Sequence, residues 1–295
     1  MTPPQSLIQR ARANFIESLL KGELNIDNEG IPSIADRGSA ISKGISKAFM
    51  AKLGDTVQRE KASGQTSGKQ FEVAVADYLT ATFLKLGHIR PGTWRVIHGA
   101  NQAQVTISNF QQYSHLLKLA EKAKHDPDLR AALGGDYFVK PDVVVVRDAE
   151  SEEFINLGIS IVDETVATYT PLRASNSKPS PAKALLHASI SCKWTIRSDR
   201  SQNARTEALN LIRNRNGHVP HIVAITAEPL PKRIASIAQG SSDLDCVYHI
   251  ALPELREAVA ESLEGRRSEQ LEDLDMLVAG KRLRDISDLP LDLAI

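Results

Sequence analysis

An α/β fold is what this chain predicts, and three observations predict it. Val143-Val144-Val145-Val146 is a run of consecutive valines of the kind that fills a strand buried on both faces. Residues 190–226 read as strand, helix, strand: Ile190–Ile196, a helix from about Ser201 to Asn214 that Gly217 ends, and His221–Thr226. The N-terminal third and the tail from Leu252 repeat apolar side chains at helical spacing instead. With 295 residues, 42% of them hydrophobic, the chain is long enough for one large packed domain, and no internal repeat or linker divides it. The expected organisation is a single domain over 1–295, with a helical part to about 90, an α/β core over about 91–250 and a helical C-terminal tail.

In chain order, Leu7, Ala11, Phe15, Ile16 and Leu19 place a helix over 6–21, and Ile41, Ile45, Phe49 and Leu53 a second over 40–54. Between them, 30–39 is rich in turn formers and reads as an exposed loop. Gly64-Gln-Thr-Ser-Gly68-Lys69-Gln70 invites comparison with a phosphate-binding P-loop. It has three residues between its glycines where four are needed, and Gln70 where Ser or Thr would ligate magnesium, so it reads as the lead into a helix through Phe71 and Leu79. Glu72 in the first turns of that helix is on its own an ordinary surface carboxylate. Alternation from Trp94 to Ile107 suggests a strand pair, Phe110–Ala123 a helix, and Ile159–Val162 a strand. Residues 165–182, rich in Ser and Pro towards their end, read as a long functional loop.

Charge and cysteine content narrow the classes. Thirty-six basic residues balance 36 acidic ones, which excludes the global positive field of a protein that coats nucleic acid indiscriminately. A local basic run remains: Arg197, Arg200, Arg205, Arg213 and Arg215. Cys192 and Cys246 are too few for a disulfide framework and lack the spacing of a zinc or redox motif; the scattered histidines also argue against zinc. No apolar run approaches the roughly 20 residues of a membrane span, and Met1-Thr-Pro-Pro-Gln-Ser has no basic segment leading into an apolar one. The expectation is a cytoplasmic, bacterial protein with no membrane partner.

The chemistry concentrates in Ser191-Cys192-Lys193 and the basic segment after it. Phosphodiester cleavage needs a divalent metal, and magnesium prefers carboxylates, backbone carbonyls and water. Asp142, Glu207 and the Cys192 carbonyl are the candidate ligands, and Lys193 supplies a cation for the attacking water or the scissile phosphate. An arginine pairs with guanine O6 and N7 in the major groove, whereas a carboxylate accepts from cytosine N4. Arg197, Asp199 and Arg200 are therefore candidate readers of guanine and cytosine.

Pro141-Asp142, Ser191-x-Lys193, Arg197-Ser198-Asp199-Arg200 and Glu207 together resemble the PD-(D/E)xK nucleases. Within them, the pattern is similar to the type II restriction endonucleases that read sites with a CCGG core. The match covers most of 135–230. Most of the superfamily carries an acidic ligand where Ser191 stands; in the CCGG group that carboxylate lies on the following helix, where this chain has Glu207. The resemblance implies a restriction-endonuclease-like fold with a central mixed β-sheet flanked by helices, Mg2+ as cofactor, and Glu72 and Ser191 as further active-site residues. It places Asp36, Gln65 and Arg233 at the outer bases, favouring GCCGGC cut after the first G to leave 5′ overhangs. Double-stranded DNA, a homodimer assembling to a homotetramer through the 165–182 loop, and a companion DNA methyltransferase in a restriction-modification system are the implied partners. Two other readings share the fold: a repair or structure-selective nuclease, and a catalytically silent DNA-binding module.

Overall fold

The computed structural model describes residues 5–54, 57–58, 64–99, 105–128, 131, 139–174, 182–196, 198–240, 243–262 and 269–295, except the side chains of 57–58, 64–66 and 198–202. Its centre is a six-stranded mixed sheet: β1 (Trp94–His98), β2 (Val143–Arg147), β3 (Leu185–Lys193), β4 (His221–Thr226), β5 (Cys246–His249) and β6 (Leu283–Asp285). Spatial order follows chain order, with β1, β2 and β3 antiparallel in turn and β3 to β6 parallel. The antiparallel pairing of β2 with β3 brings the start of one to the end of the other: Asp142 enters β2 beside the place where Ser191 leaves β3.

Helices cover the sheet. The first two, α1 (Leu7–Lys21) and α2 (Ala40–Leu53), begin where expected because Ser6 and Ser39 accept from the backbone N–H of Gln9 and Ser42, capping the first turns. The third, α3 (Gly64–Thr82), buries Phe71, Val75, Tyr78 and Leu79. Next come α4 (Ser114–Ala123) and α5 (Ser198–Arg213), the latter turning Ala204, Ala208 and Leu211 inward. The Tyr113 hydroxyl donates to the Leu211 carbonyl at 2.9 Å and fixes the far end of α5. Then follow α6 (Pro231–Ala238), α7 (Leu252–Ser262) and α8 (Glu269–Ala279). Among the described residues no helix is long and apolar enough to cross a membrane.

The tail expected to be helical carries β6, the 30–39 loop expected to be exposed buries Pro32, Ile34 and Ala35, and three further expectations change. Of the strand pair over 94–107, one strand ends at His98; 100–104 lie outside the described residues and Ile107–Asn109 is a 3-10 turn. The helix expected from Phe110 starts at Ser114, after a second 3-10 turn. Ile159–Val162 is not a strand: the Asn156 side-chain oxygen accepts the N–H groups of Ile161 and Val162 at 2.8 and 2.9 Å, so the segment folds on itself. β-branched composition alone does not make a strand when a local side chain takes the backbone donors.

Candidate active site

Asp142 is the fixed point of the site. Its Oδ2 accepts the Cys192 N–H at 2.7 Å and lies 3.4 Å from the Lys193 ammonium, while its carbonyl accepts the Gly99 N–H at 2.8 Å. The carboxylate is thus held by the backbone of β3 and by the lysine two residues beyond Ser191. Alternation along β3 sends Cys192 into the core and puts Ser191 and Lys193 on the other face together. The Ser191 Oγ is buried there with no hydrogen-bond partner among the described residues.

Glu207 approaches from α5. It is three residues past Ala204 and one before Ala208, on the inward edge of the helix. Burial raises its pKa, Lys193 lowers it and Asp142 raises it again, so it shares one electrostatic neighbourhood with both. For Lys193, burial pushes the ammonium down, but Asp142 and Glu207 outweigh it and keep the pKa above its ordinary value. The lysine is a permanent cation between carboxylates.

Glu72 closes the site from α3. Burial, followed by repulsion from Asp142, pushes its pKa up to about 7 against the opposing pull of Lys193 and Lys69. Glu72 and Asp142 line an open cleft of about 460 Å³ together with Gly99, Lys69 and Lys140. Those two lysines escaped the sequence reading. Their signals were present: Lys69 is one helical turn before Glu72, and Lys140 precedes Pro141-Asp142.

The donor set suits a hard divalent cation. Among the described residues no three His, Cys, Asp or Glu side chains converge tightly enough to hold an ion by themselves. Magnesium does not require that, since one or two carboxylates with carbonyl, water and substrate oxygens complete its shell. With Asp142 and Glu207 as carboxylates, the Cys192 carbonyl and the Ser191 Oγ, which has no hydrogen-bond partner among the described residues, would be the further protein oxygens of such a set.

These relationships join Asp142, Lys193, Glu207 and Glu72 electrostatically, with Ser191 and Cys192 on the same strand. A scan against family models matches residues 15–295 to the NgoMIV restriction enzyme family. The chain belongs to that family. It is 48% identical over 290 residues to the type II restriction enzyme NgoMIV of Neisseria gonorrhoeae, covering 98% of this chain and 99% of that protein. A solved restriction endonuclease PspGI–substrate DNA complex aligns with 97% of this chain and 90% of that chain, at 14% identity and a TM-score of 0.25. Membership of the NgoMIV family rests on the sequence relationship.

The expected base-reading residues divide. Arg197 lies outside the described residues, as do the side chains of Gln65, Asp199 and Arg200. Asp36 and Arg233, far apart in sequence, form an ion pair with each other. The basic run is partly structural: Arg205 donates to the Gln239 carbonyl and Arg215 to the Ile212 carbonyl.

Gly99 exposes the site's tolerance. Its φ is outside the left-handed region, yet a Cβ there would stand 3.0 Å from Glu72 Oε2 and 3.3 Å from the Asp142 carbonyl. The first atom ends a flexible side chain, so the fold yields cheaply while the carboxylate moves. Gly99→Ala should lower turnover about tenfold or more, since small misplacements of reacting groups are costly, with less than about 1 kcal/mol lost in stability. Steady-state kinetics and urea unfolding check this together; unchanged turnover would show that Glu72 placement is immaterial.

Proposed function

We propose that this protein is a magnesium-dependent type II restriction endonuclease that cuts double-stranded DNA at GCCGGC, after the first G, leaving 5′ overhangs. Membership of the NgoMIV restriction-enzyme family supports sequence-specific deoxyribonuclease activity. The observation that carries the chemistry is the grouping of Asp142, Lys193 and Glu207 from two adjacent strands and the helix after them.

The chain's own residues divide the work. Asp142 and Glu207, with the Cys192 carbonyl, would hold Mg2+, which supplies charge neutralisation and an acidified water when bound. Lys193, kept protonated by the carboxylates around it, orients the attacking water and faces the scissile phosphate. Ser191 offers its hydroxyl at the position where an acidic side chain is displaced to Glu207. Glu72, drawn towards neutrality by burial, lines the same cleft as Lys69 and Lys140, which provide phosphate-directed charge. Arg197 and Arg200 would read guanine and Asp199 cytosine within CCGG, with Asp36, Gln65 and Arg233 at the outer pair.

Plasmid digestion with Mg2+, combined with sequencing of the ends, reports activity, site and stagger together. Discrete fragments ending at GCCGGC are expected. A smear, or cutting at junctions, would instead indicate a structure-selective nuclease. Lys193→Ala should abolish cleavage while preserving specific binding in Ca2+; a fully active variant would remove the catalytic assignment.

The assembly proposed is a homodimer pairing into a homotetramer, with a companion methyltransferase protecting the host's own sites. Its support is an exposed apolar stretch running from Phe154 to Tyr169, where Leu157 and Tyr169 are 77% and 97% exposed beside Ile159, Ile161 and Val166. Buried Arg173 braces it, donating to the carbonyls of Val166 and Asp163 at 2.6 and 2.7 Å and pairing with Glu152. Exposed apolar side chains gathered in this way support an interface there. It begins before the 165–182 loop expected for this contact, of which 175–181 lie outside the described residues. Leu157→Asp with Tyr169→Glu should leave dimers in sedimentation; a tetramer unaffected by both changes would move the interface elsewhere.

A further inference from the structure

Glu228 is a carboxylate outside the catalytic grouping and is fully buried in the connection between β4 and α6. Its Oε2 accepts the Ile196 N–H at 2.8 Å, and its Oε1 accepts the Leu230 N–H at 3.1 Å. Ile196 is the residue immediately before Arg197. Leu230 leads into α6, and its carbonyl accepts the Arg233 N–H at 3.0 Å. The Arg233 guanidinium stands 3.9 Å from Glu228 Oε2 and pairs with Asp36. One side chain therefore touches the chain entering the Arg197–Arg200 segment, the first turn of α6, and the arginine bound to the 30–39 loop.

We propose that Glu228 is a positioning residue for sequence reading, clipping the entry to Arg197-Ser198-Asp199-Arg200 onto the start of α6 so that inner-base and outer-base readers are held in one register. This rests on the reading of those residues, with Asp36 and Arg233, as base contacts. The chemistry requires a carboxylate because both oxygens face N–H donors. A glutamine offers one acceptor and would turn its own NH2 against the second donor. Burial pushes the Glu228 pKa up to about 7, while the N–H groups of Ile196 and Leu230 pull it back towards the charged form that they bind.

The test is Glu228→Gln, assayed for kcat/KM on duplexes carrying NCCGGN with each of the four symmetric outer pairs, and on duplexes with single changes inside CCGG. Thermal unfolding is measured alongside. The ratio of the preferred site to its nearest competitors should fall about tenfold or more at both inner and outer positions, the scale of one base-edge contact. A merely structural role would lower all rates together and leave those ratios unmoved, which would overturn the proposal. If Glu228→Gln does not fold, Glu228→Asp keeps the charge with a shorter reach and should relax the same ratios; unchanged ratios would again overturn it. Asp199→Ala separates the two layers. If it relaxes CCGG preference and the Glu228 variants do not, the clip fails alone; if it leaves preference intact, the base-contact reading fails and the proposal falls with it.

Discussion

The structure turns on one antiparallel join, where the Asp142 carboxylate accepts the Cys192 N–H and lies against the Lys193 ammonium. Register makes this contact inevitable. Pairing of Val143 with Ile190 places Asp142 beside Ser191, so a slip of one residue would send Lys193 into the core and Cys192 to the cleft. Burial of the Lys193 ammonium opposes such a slip, whereas the four fully buried valines of β2 fill both faces in either register. Packing of the sheet thus determines where the charges of Asp142 and Lys193 stand.

Electrostatics complete what register begins. Three carboxylates, Asp142, Glu207 and Glu72, share a half-buried region with Lys193, and burial raises the last two carboxylates above their ordinary range. Partly buried like charges are unfavourable unless a cation balances them. A site arranged in this way favours occupancy by a divalent ion and a phosphate rather than further packing. The Ser191 hydroxyl, without a partner among the described residues, is free to accept or donate to a group bound in the same place.

Much of the site was legible in the residues. The valine run, the Ser-x-Lys strand and the helix after it are readable from composition and period, and they lie where expected. Glu207 as the displaced carboxylate followed from the resemblance, which puts it on the helix after the lysine strand; in the structure it borders the inward face marked by Ala204, Ala208 and Leu211. The four-residue β5 and three-residue β6 escaped notice because strands this short carry too few alternations to show a period. Ile159–Val162 misled because the Asn156 side chain captures backbone donors that a sheet would otherwise use. Glu228 was invisible for a different reason: its partners are the backbone at Ile196 and Leu230, and backbone partners leave no signature in sequence. Lys69 was obscured by the failed P-loop pattern around it, although its helical offset from Glu72 already placed it beside the cleft.

Glu207, rather than residue 191, is proposed as the second carboxylate of the catalytic centre, and the roles of Ser191 and Lys193 depend on that assignment. Single-turnover cleavage by Glu207→Gln in Mg2+, beside DNA binding in Ca2+, tests it most directly. Cleavage slowed by about a thousandfold or more, as for loss of a group acting on the transition state, with specific binding retained, is the predicted result. Cleavage at the parent rate would contradict it.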